Sequence, residues 1–242
     1  MVYPYAVNIR EILRFEQVSN LCRAVSPKRQ EQIAQYRFDR DKIRCLTAEL
    51  LVRYALAERF GMNHYTISFL RTDNGKPFLA NSDVHFNMSH SGDWVVCAVG
   101  LSEIGIDVER MRQTDNRDMH VFFAKSESEL LNRAKPYAQA DLFYRLWTLK
   151  ESYVKYCGTG LRHPFSDFAV DFRPDGGAKL TRATVGDTNV AFDSRKLDSL
   201  HWYALCAPEG ARMAGICTVS AQTLFRDAKA DVTVCDDGTY SI

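Results

Sequence analysis

The stretch IGIDVER, residues 104–110, sets two carboxylates two positions apart. Side chains alternate faces along a strand, so Ile104, Ile106 and Val108 share one face and Gly105, Asp107 and Glu109 the other. A carboxylate pair on one face suits a hard divalent cation such as Mg²⁺, which takes few protein oxygens and keeps room for water and phosphate. A half-buried strand with a wet polar face reads the same pattern without a metal. A second segment, ADLFYRLWTLKESYVKYCG at 140–158, has helical periodicity. Leu142, Leu146, Leu149, Tyr153 and Tyr156 form one apolar stripe, and Phe143, Trp147 and Val154 form another beside it. Only Thr148, Glu151, Ser152 and Lys155 make a polar stripe. A helix apolar over most of its circumference is largely buried, so its polar stripe is expected to line a cleft. The competing reading is a solvent-facing Glu151–Lys155 pair at i,i+4 spacing. The third segment, Ser89-His90-Ser91-Gly92, reads as a turn between two apolar strands. Its backbone N–H groups, hydroxyls and imidazole can all donate to an anion. A Ser-His-Asp triad with Asp93 is disfavoured, because neighbours on one turn do not reach nucleophile–base geometry and no G-x-S-x-G elbow is present.

The elements that must hold these groups can be read around them. Residues 2–8 read as a strand. Ser26-Pro27 reads as a helix cap and first helical position. DKIRCLTAELLVRYALAERFG, residues 41–61, is a strong helix ending at Gly61, as 140–158 ends at Gly158. Strands are expected at 65–70, 84–88 and 94–101, with an Asn74-Gly75 turn between the first two. Residues 110–120 read as a loop, and a short helix near 126–134 is expected to open on a capping box of Ser126 and Glu129. Short strands fill 165–219, and the tail to 242 shows little pattern. Each half thus reads strand, long helix ending in glycine, then several strands. That order fits either a duplication or one α+β domain. The 242 residues are 46% hydrophobic and 25% charged, enough for a sizeable core, and the formal net charge of +1 gives no global pull toward nucleic acid or membrane. No apolar run approaches the roughly 20 residues of a membrane span, and no signal peptide is read at the N-terminus. Seven scattered cysteines without a C-x-x-C pattern read as buried thiols of a reducing, cytoplasmic protein.

NMSHS at 87–91, GIDVE at 105–109 and WTLKESYVK at 147–155, in this order and spacing, resemble the three signature motifs of the 4′-phosphopantetheinyl transferases of the surfactin-synthetase-activating type. GKP at 75–77 and SPKR at 26–29 fit the same pattern, and the likeness weakens beyond residue 165. The resemblance implies an α+β, pseudo-twofold duplication. Each half would be a long helix packed on a small, mainly antiparallel sheet, with residues 1–101 and 102–242 as the halves and the active site between them. It implies Mg²⁺-dependent transfer of the phosphopantetheine arm of coenzyme A to a serine of an apo acyl or peptidyl carrier protein, releasing 3′,5′-ADP. Asp107, Glu109 and Glu151 would hold Mg²⁺, with Mn²⁺ as a substitute. Glu151 would accept the serine proton, and Lys155 would protonate the leaving oxygen. Lys150 and Lys155 would contact the pyrophosphate, Ser89 and His90 the phosphates, Lys28 and Arg44 the 3′-phosphate and nucleotide, and Asn74, Gly75 and Lys76 the adenine. The family often has a lysine at the position of Glu31, whose contact Arg29 could supply. The loop after Glu109, residues 120–125 and residues 158–165 are candidates for carrier docking. The implied protein is a monomer without nucleic-acid or membrane partners. The rival readings are a Mg²⁺-dependent coenzyme A or nucleotide phosphodiesterase and an inactive coenzyme A-binding relative.

Overall fold

In a computed structural model of the chain, the described residues are 1–64, 66–112, 122–160, 164–173, 177–183 and 188–236. The side chains of residue 182 and of 230–236 lie outside the description.

The chain opens with strand β1 (Val2–Asn8), two 3₁₀ turns, and helices α1 (Pro27–Gln35) and α2 (Asp39–Phe60). Strands β2 (Phe69–Arg71), β3 (Pro77–Leu79), β4 (His85–Ser91), β5 (Trp94–Gly100) and β6 (Gly105–Arg110) follow. Next come helices α3 (Lys125–Arg133) and α4 (Pro136–Cys157), then β7 (Phe168–Phe172), β8 (Ala178–Ala183), β9 (Val190–Asp198), β10 (His201–Pro208), β11 (Cys217–Ser220) and α5 (Ala221–Asp236). The mixed α+β reading holds. One sheet runs β11-β1-β5-β4 and a second runs β6-β10-β9; β2-β3 and β7-β8 are separate two-stranded ribbons. All pairs are antiparallel except β1 with β11.

Strand alternation decides the layering. On the first sheet, Tyr5, Val7, Phe86, Val95, Cys97 and Val99 turn toward α2 and join Leu46, Leu50, Leu51 and Leu56 in one core. The opposite faces of β1 and β5, through Val2, Ala6, Trp94, Val96 and Ala98, pack on Ile104, Ile106, Val108, Tyr203 and Leu205 of the second sheet. The outer face of that sheet, through Trp202, Ala204 and Cys206, meets Leu146, Leu149 and Tyr153 of α4. The order is therefore helix, sheet, sheet, helix, with three apolar layers between.

Three expectations are corrected. The second half does not stay whole beyond β10. β11 pairs with β1, and Val219, Leu224 and Ala228 enter the α2 core, so the boundary of 102–242 gives its last segment back to the first sheet. The tail that shows little pattern beyond residue 219 thus forms a 16-residue helix. Helix α3 is capped two residues earlier than expected. Its first residue is Lys125, and Glu127 Oε2 accepts the Ala124 N–H at 2.9 Å, rather than Glu129 serving Ser126. Helix α4 starts at Pro136, whose fixed φ and missing N–H suit the first turn. The loop read at 110–120 lies outside the described residues from 113 onward. The two long helices, each of 22 residues, both end on a glycine in the left-handed region: Gly61 at φ 63° and Gly158 at φ 68°.

Candidate active site

Of the polar knot at 89–92, residues 89–91 are strand and only Gly92 belongs to the turn. Ser89, His90 and Ser91 lie on β4, paired opposite Val96, Val95 and Trp94, so their backbone groups serve the ladder. The hairpin loop is only Gly92-Asp93, with Gly92 at φ 57°. A positive φ confined to the first loop position marks a type II′ hairpin, which wants glycine there.

Because β4 alternates, Asn87, Ser89 and Ser91 share one face, and that face meets β6. Asn87 Oδ1 accepts the Ile106 N–H at 3.0 Å. Ser89 Oγ donates to Asp107 Oδ1 at 2.8 Å, and Ser91 Oγ donates to Glu109 Oε2 at 2.9 Å. The Arg110 N–H donates to Ser91 Oγ at 3.1 Å. Asn87 and Ser91 carry a clear signal in hindsight: polar residues at every second position of an otherwise apolar strand.

Helix α4 closes the third side. A Cβ on Gly105 would stand 1.9 Å from the Ser152 backbone oxygen, so this position must lack a side chain for α4 to lie directly on β6. That approach brings Lys155 Nζ to 2.6 Å from Asp107 Oδ1 and 2.8 Å from Ser89 Oγ. Within the expected polar stripe, Glu151 and Lys155 line a cleft of about 440 Å³ together with Ser89, His90, Asn74, Gly75 and Lys76. Thr148 and Ser152 do not. They are buried and return their hydroxyls to the helix, to Tyr144 O and Leu149 O.

Lys150 is the clearest departure. It sits on the far side of α4 with no exposed surface, bonded to Glu127 at 2.8 and 2.7 Å and to Phe168 O at 2.7 Å. It is a buried ion pair over the Phe168 ring and does not line the cleft. Its partner Glu127 is not legible from the local pattern, whose capping signal points to Glu129.

The other expected contacts are dispersed, and Arg44 lines neither this cleft nor the lobe beside it. Lys28 is exposed, pairs with Glu31 at 3.3 Å, and lines an adjoining lobe of about 710 Å³. Arg44 donates to Gly92 O at 3.0 Å and Asp41 at 2.6 Å; its Nε is buried without a partner. Asn74 Nδ2 donates to Gly158 O, and Lys76 Nζ bridges Glu103 at 2.7 Å and Tyr156 O at 3.1 Å, so the 72–76 turn is tied to the C-terminus of α4. Gly75 supplies the positive φ of that turn.

Electrostatics follow from crowding. Burial first, then the Asp107 and Glu151 charges, push Glu109 up to about 7, against the Ser91 hydrogen bond and Lys155. Burial and Asp107 likewise raise Glu151, opposed by Lys155. His90 is pushed down to about 4 by lost hydration and then by Arg44, Lys155 and Arg29. Its side chain is open to cleft water, which moderates the desolvation; the three cations fix the direction. Asp107 is 3% exposed, and its Oδ2 is buried with no hydrogen-bond partner. Among the described residues no group of three or more His, Cys, Asp or Glu stands close enough to form a metal cage by itself. The donor set nonetheless suits a hard cation: a buried carboxylate oxygen with no partner, beside two carboxylates whose anionic forms are disfavoured first by burial and then by the Asp107 charge. The six described cysteines are free, and no described helix is long and apolar enough to cross a membrane.

Comparison with known proteins bears on the same residues. Residues 103–207 match the 4′-phosphopantetheinyl transferase superfamily, and residues 14–102 match its N-terminal region description. A 4′-phosphopantetheinyl transferase of Bacillus subtilis is 37% identical over 177 residues, covering 73% of this chain and 79% of that protein. The transferase Sfp of B. subtilis strain 168 is 34% identical over 178 residues, covering 73% and 79%. The L-aminoadipate-semialdehyde dehydrogenase-phosphopantetheinyl transferase of Homo sapiens is 31% identical over 215 residues, covering 78% and 70%. The chain belongs to the 4′-phosphopantetheinyl transferase family.

Proposed function

We propose that this chain transfers the 4′-phosphopantetheine arm of coenzyme A to a serine of an apo carrier protein, in a Mg²⁺-dependent reaction at the β4–β6–α4 seam. The observation that carries this reading is the unpartnered, buried Oδ2 of Asp107 at the point where Ser89, Lys155, Glu109 and Glu151 converge. Asp107, Glu109 and Glu151 would hold the ion, which when bound neutralises the diphosphate of coenzyme A and favours displacement at phosphorus.

The protein's own groups supply the rest. Lys155 already bonds Asp107 and Ser89, so its ammonium needs little movement to donate to a phosphate oxygen and to return a proton to the departing nucleotide. Glu151 faces the cleft on the same helix, four residues before Lys155, and serves as the acceptor for the carrier serine proton. Arg29 and a neutral His90 line the cleft, and the Arg29 and Arg44 charges felt at His90 suit the phosphates of the nucleotide. Lys28 stands at the neighbouring lobe, and the 74–76 turn borders the cleft from the α4 side. The two halves, each a long helix on its own sheet, are read as a duplication, with the reaction at their seam. The chain is read as a cytoplasmic monomer.

The test is mass analysis of an apo carrier incubated with coenzyme A and Mg²⁺, with and without chelator. The expected result is one phosphopantetheine mass per carrier, lost on chelation. Hydrolysed coenzyme A beside an unmodified carrier would instead indicate a phosphodiesterase. Asp107→Asn is expected to lower turnover by about 10²–10³, the scale of losing one main electrostatic stabiliser.

A further inference from the structure

Glu103 lies in the link 101–104, where the chain leaves the first sheet at Gly100 and enters the second at Gly105. Backbone crowding fixes both ends of that link. A Cβ on Gly100 would stand 3.0 Å from Met1 O, and one on Gly105 would stand 1.9 Å from Ser152 O and 2.4 Å from Tyr156 N. No step of the proposed transfer uses Glu103. Its Oε2 nonetheless accepts from Lys76 Nζ at 2.7 Å, and its Oε1 lies 3.2 Å from His85 Nδ1 at the start of β4.

Lys76 is thereby held at the end of α4. Its ammonium also donates to Tyr156 O at 3.1 Å, and a Cβ on Gly158 would stand 3.3 Å from Lys76 Cδ. Asn74 Nδ2 donates to Gly158 O at 3.2 Å. The last carbonyls of a helix lack partners within it, and that end carries partial negative charge, so an amide and an ammonium from the 72–76 turn cap α4 from outside. The turn keeps its own shape through Thr72. Gly75 N donates to Thr72 O at 2.8 Å, Lys76 N to Thr72 Oγ1 at 3.1 Å, and Thr72 N to Lys76 O at 2.9 Å. It therefore shifts as a unit. Gly75, Lys76 and Pro77 of the turn and Glu151, Lys155 and Gly158 of α4 line the same cleft, so a ligand that fills the cleft touches both. The Glu103 side chain is 50% exposed and that of Lys76 15%. Water and salt screen so exposed a carboxylate from an anion in the cleft, and its short bond to Lys76 is what reaches that space.

We infer that Glu103 is a positioning residue for coenzyme A binding. It holds Lys76 on the carbonyl end of α4, and this fixes the distance between the turn and the Glu151–Lys155 pair. The inference rests on coenzyme A being the substrate of this cleft.

Two measurements on the full chain test it. Hydrogen exchange over residues 70–80, without ligand, reads the clip. Exchange at Gly75 and Lys76 is expected to quicken about three- to tenfold in Glu103→Ala and to return most of the way in Glu103→Gln, whose amide oxygen still accepts from Lys76. Calorimetric titration with coenzyme A, without carrier, reads the consequence. Glu103→Ala should weaken binding about fivefold, the scale of one partly exposed ion pair, and Glu103→Gln about twofold. In both variants kcat at saturating coenzyme A should stay within about twofold of the wild type. In a Lys76→Met background, Glu103→Ala should add no further loss. Tighter binding by Glu103→Ala would make Glu103 a repelling charge and overturn the inference, as would unchanged exchange in the turn. Faster exchange throughout the chain with a lowered unfolding midpoint would make it a general structural residue and overturn the inference too. A loss that persists in the Lys76→Met background would overturn the route through Lys76. A wild type that does not bind coenzyme A refutes the substrate reading, and the exchange comparison then decides whether Glu103 holds the turn.

Discussion

Lys150→Met separates a buried structural charge from a substrate contact at a position whose sequence context suggests the latter. The Lys150 ammonium is wholly enclosed; Glu127, its partner, is 1% exposed. Glu127 also accepts the Ala124 N–H at 2.9 Å and the Val170 N–H at 2.8 Å, so this pair ties α3, α4 and β7 together. Methionine matches the lysine stem closely and leaves no large cavity, so the main cost is a buried carboxylate that has lost its counter-ion. Breaking a buried pair from one side costs about 3–5 kcal/mol. A domain of this size has roughly 5–15 kcal/mol in total. At about 2–4 °C per kcal/mol, the midpoint of thermal unfolding should fall by roughly 6–20 °C. Glu127→Gln added to Lys150→Met removes the stranded charge and should recover much of the loss. Urea unfolding followed by circular dichroism gives the stabilities. Steady-state assays on surviving folded protein give the Michaelis constant for coenzyme A, expected to change by less than about threefold. A Lys150→Met protein with unchanged midpoint and a Michaelis constant raised tenfold or more would refute the buried-pair reasoning and return Lys150 to the substrate.

Gly105→Ala should abolish stable folding or displace α4, because the added Cβ meets a helix backbone oxygen at 1.9 Å rather than a side chain that can turn away; thermal unfolding and carrier loading would both register it. Mg²⁺ should raise the unfolding midpoint more at pH 8 than at pH 5.5. Glu109 is held up to about 7 in the folded chain against an ordinary value near 4.5, so folding favours its protonated form and stability falls as pH rises between those values. Bound metal needs the ionised form and removes the penalty; an equal midpoint gain at both pH values would contradict this. Asp198 behaves oppositely. Desolvation would raise it, but hydrogen bonds from Trp94 Nε1, His201 Nδ1 and Leu200 N hold it at about 2, so its contribution is present above about pH 4 and is lost as pH falls toward 2. Asp198→Asn should flatten the stability profile across that acid range in urea titrations.

The sequence was most legible where one periodicity served one purpose. Alternation in IGIDVER separates a buried apolar face from the Asp107–Glu109 face, and the structure keeps that division. The apolar stripes of 140–158 and the closing glycine place α4 and its inward face. Where one residue type has two uses, local pattern fails. Thr148 and Ser152 look like cleft residues on a helical projection, yet the close approach allowed by Gly105 buries Ser152 and turns both hydroxyls inward. Lys150 looks like a phosphate contact because its buried partner lies 23 positions upstream, a distance no helix period reports. β11 falls almost wholly within the short strands expected over 165–219, but its sheet is not legible locally because its pairing strand is the first of the chain, and only the long-range register Tyr5↔Cys217 gives it a place. The bond between Glu49 and Arg29 is invisible for a similar reason: it spans two helices.

Chemistry at the seam follows from its being a junction of two unclosed sheets. β4 is the last strand of one sheet and β6 the first of the other, and no backbone ladder joins them. An unpaired edge must be satisfied by other means. Here Asn87, Ser89 and Ser91 do so with side chains, and each bond orients a residue of β6: the Ile106 amide, Asp107 and Glu109. A continuous ladder would have brought the two strands closer and filled the space between β4 and α4 that becomes the cleft. The side-chain zipper holds the carboxylates in register from one direction while Gly105 admits Lys155 and Glu151 from the other. Two of the four hydrogen bonds that join β4 to β6 thus align the acids. Ser89→Ala should therefore weaken stability and turnover together, whereas a residue touching substrate alone would move turnover only.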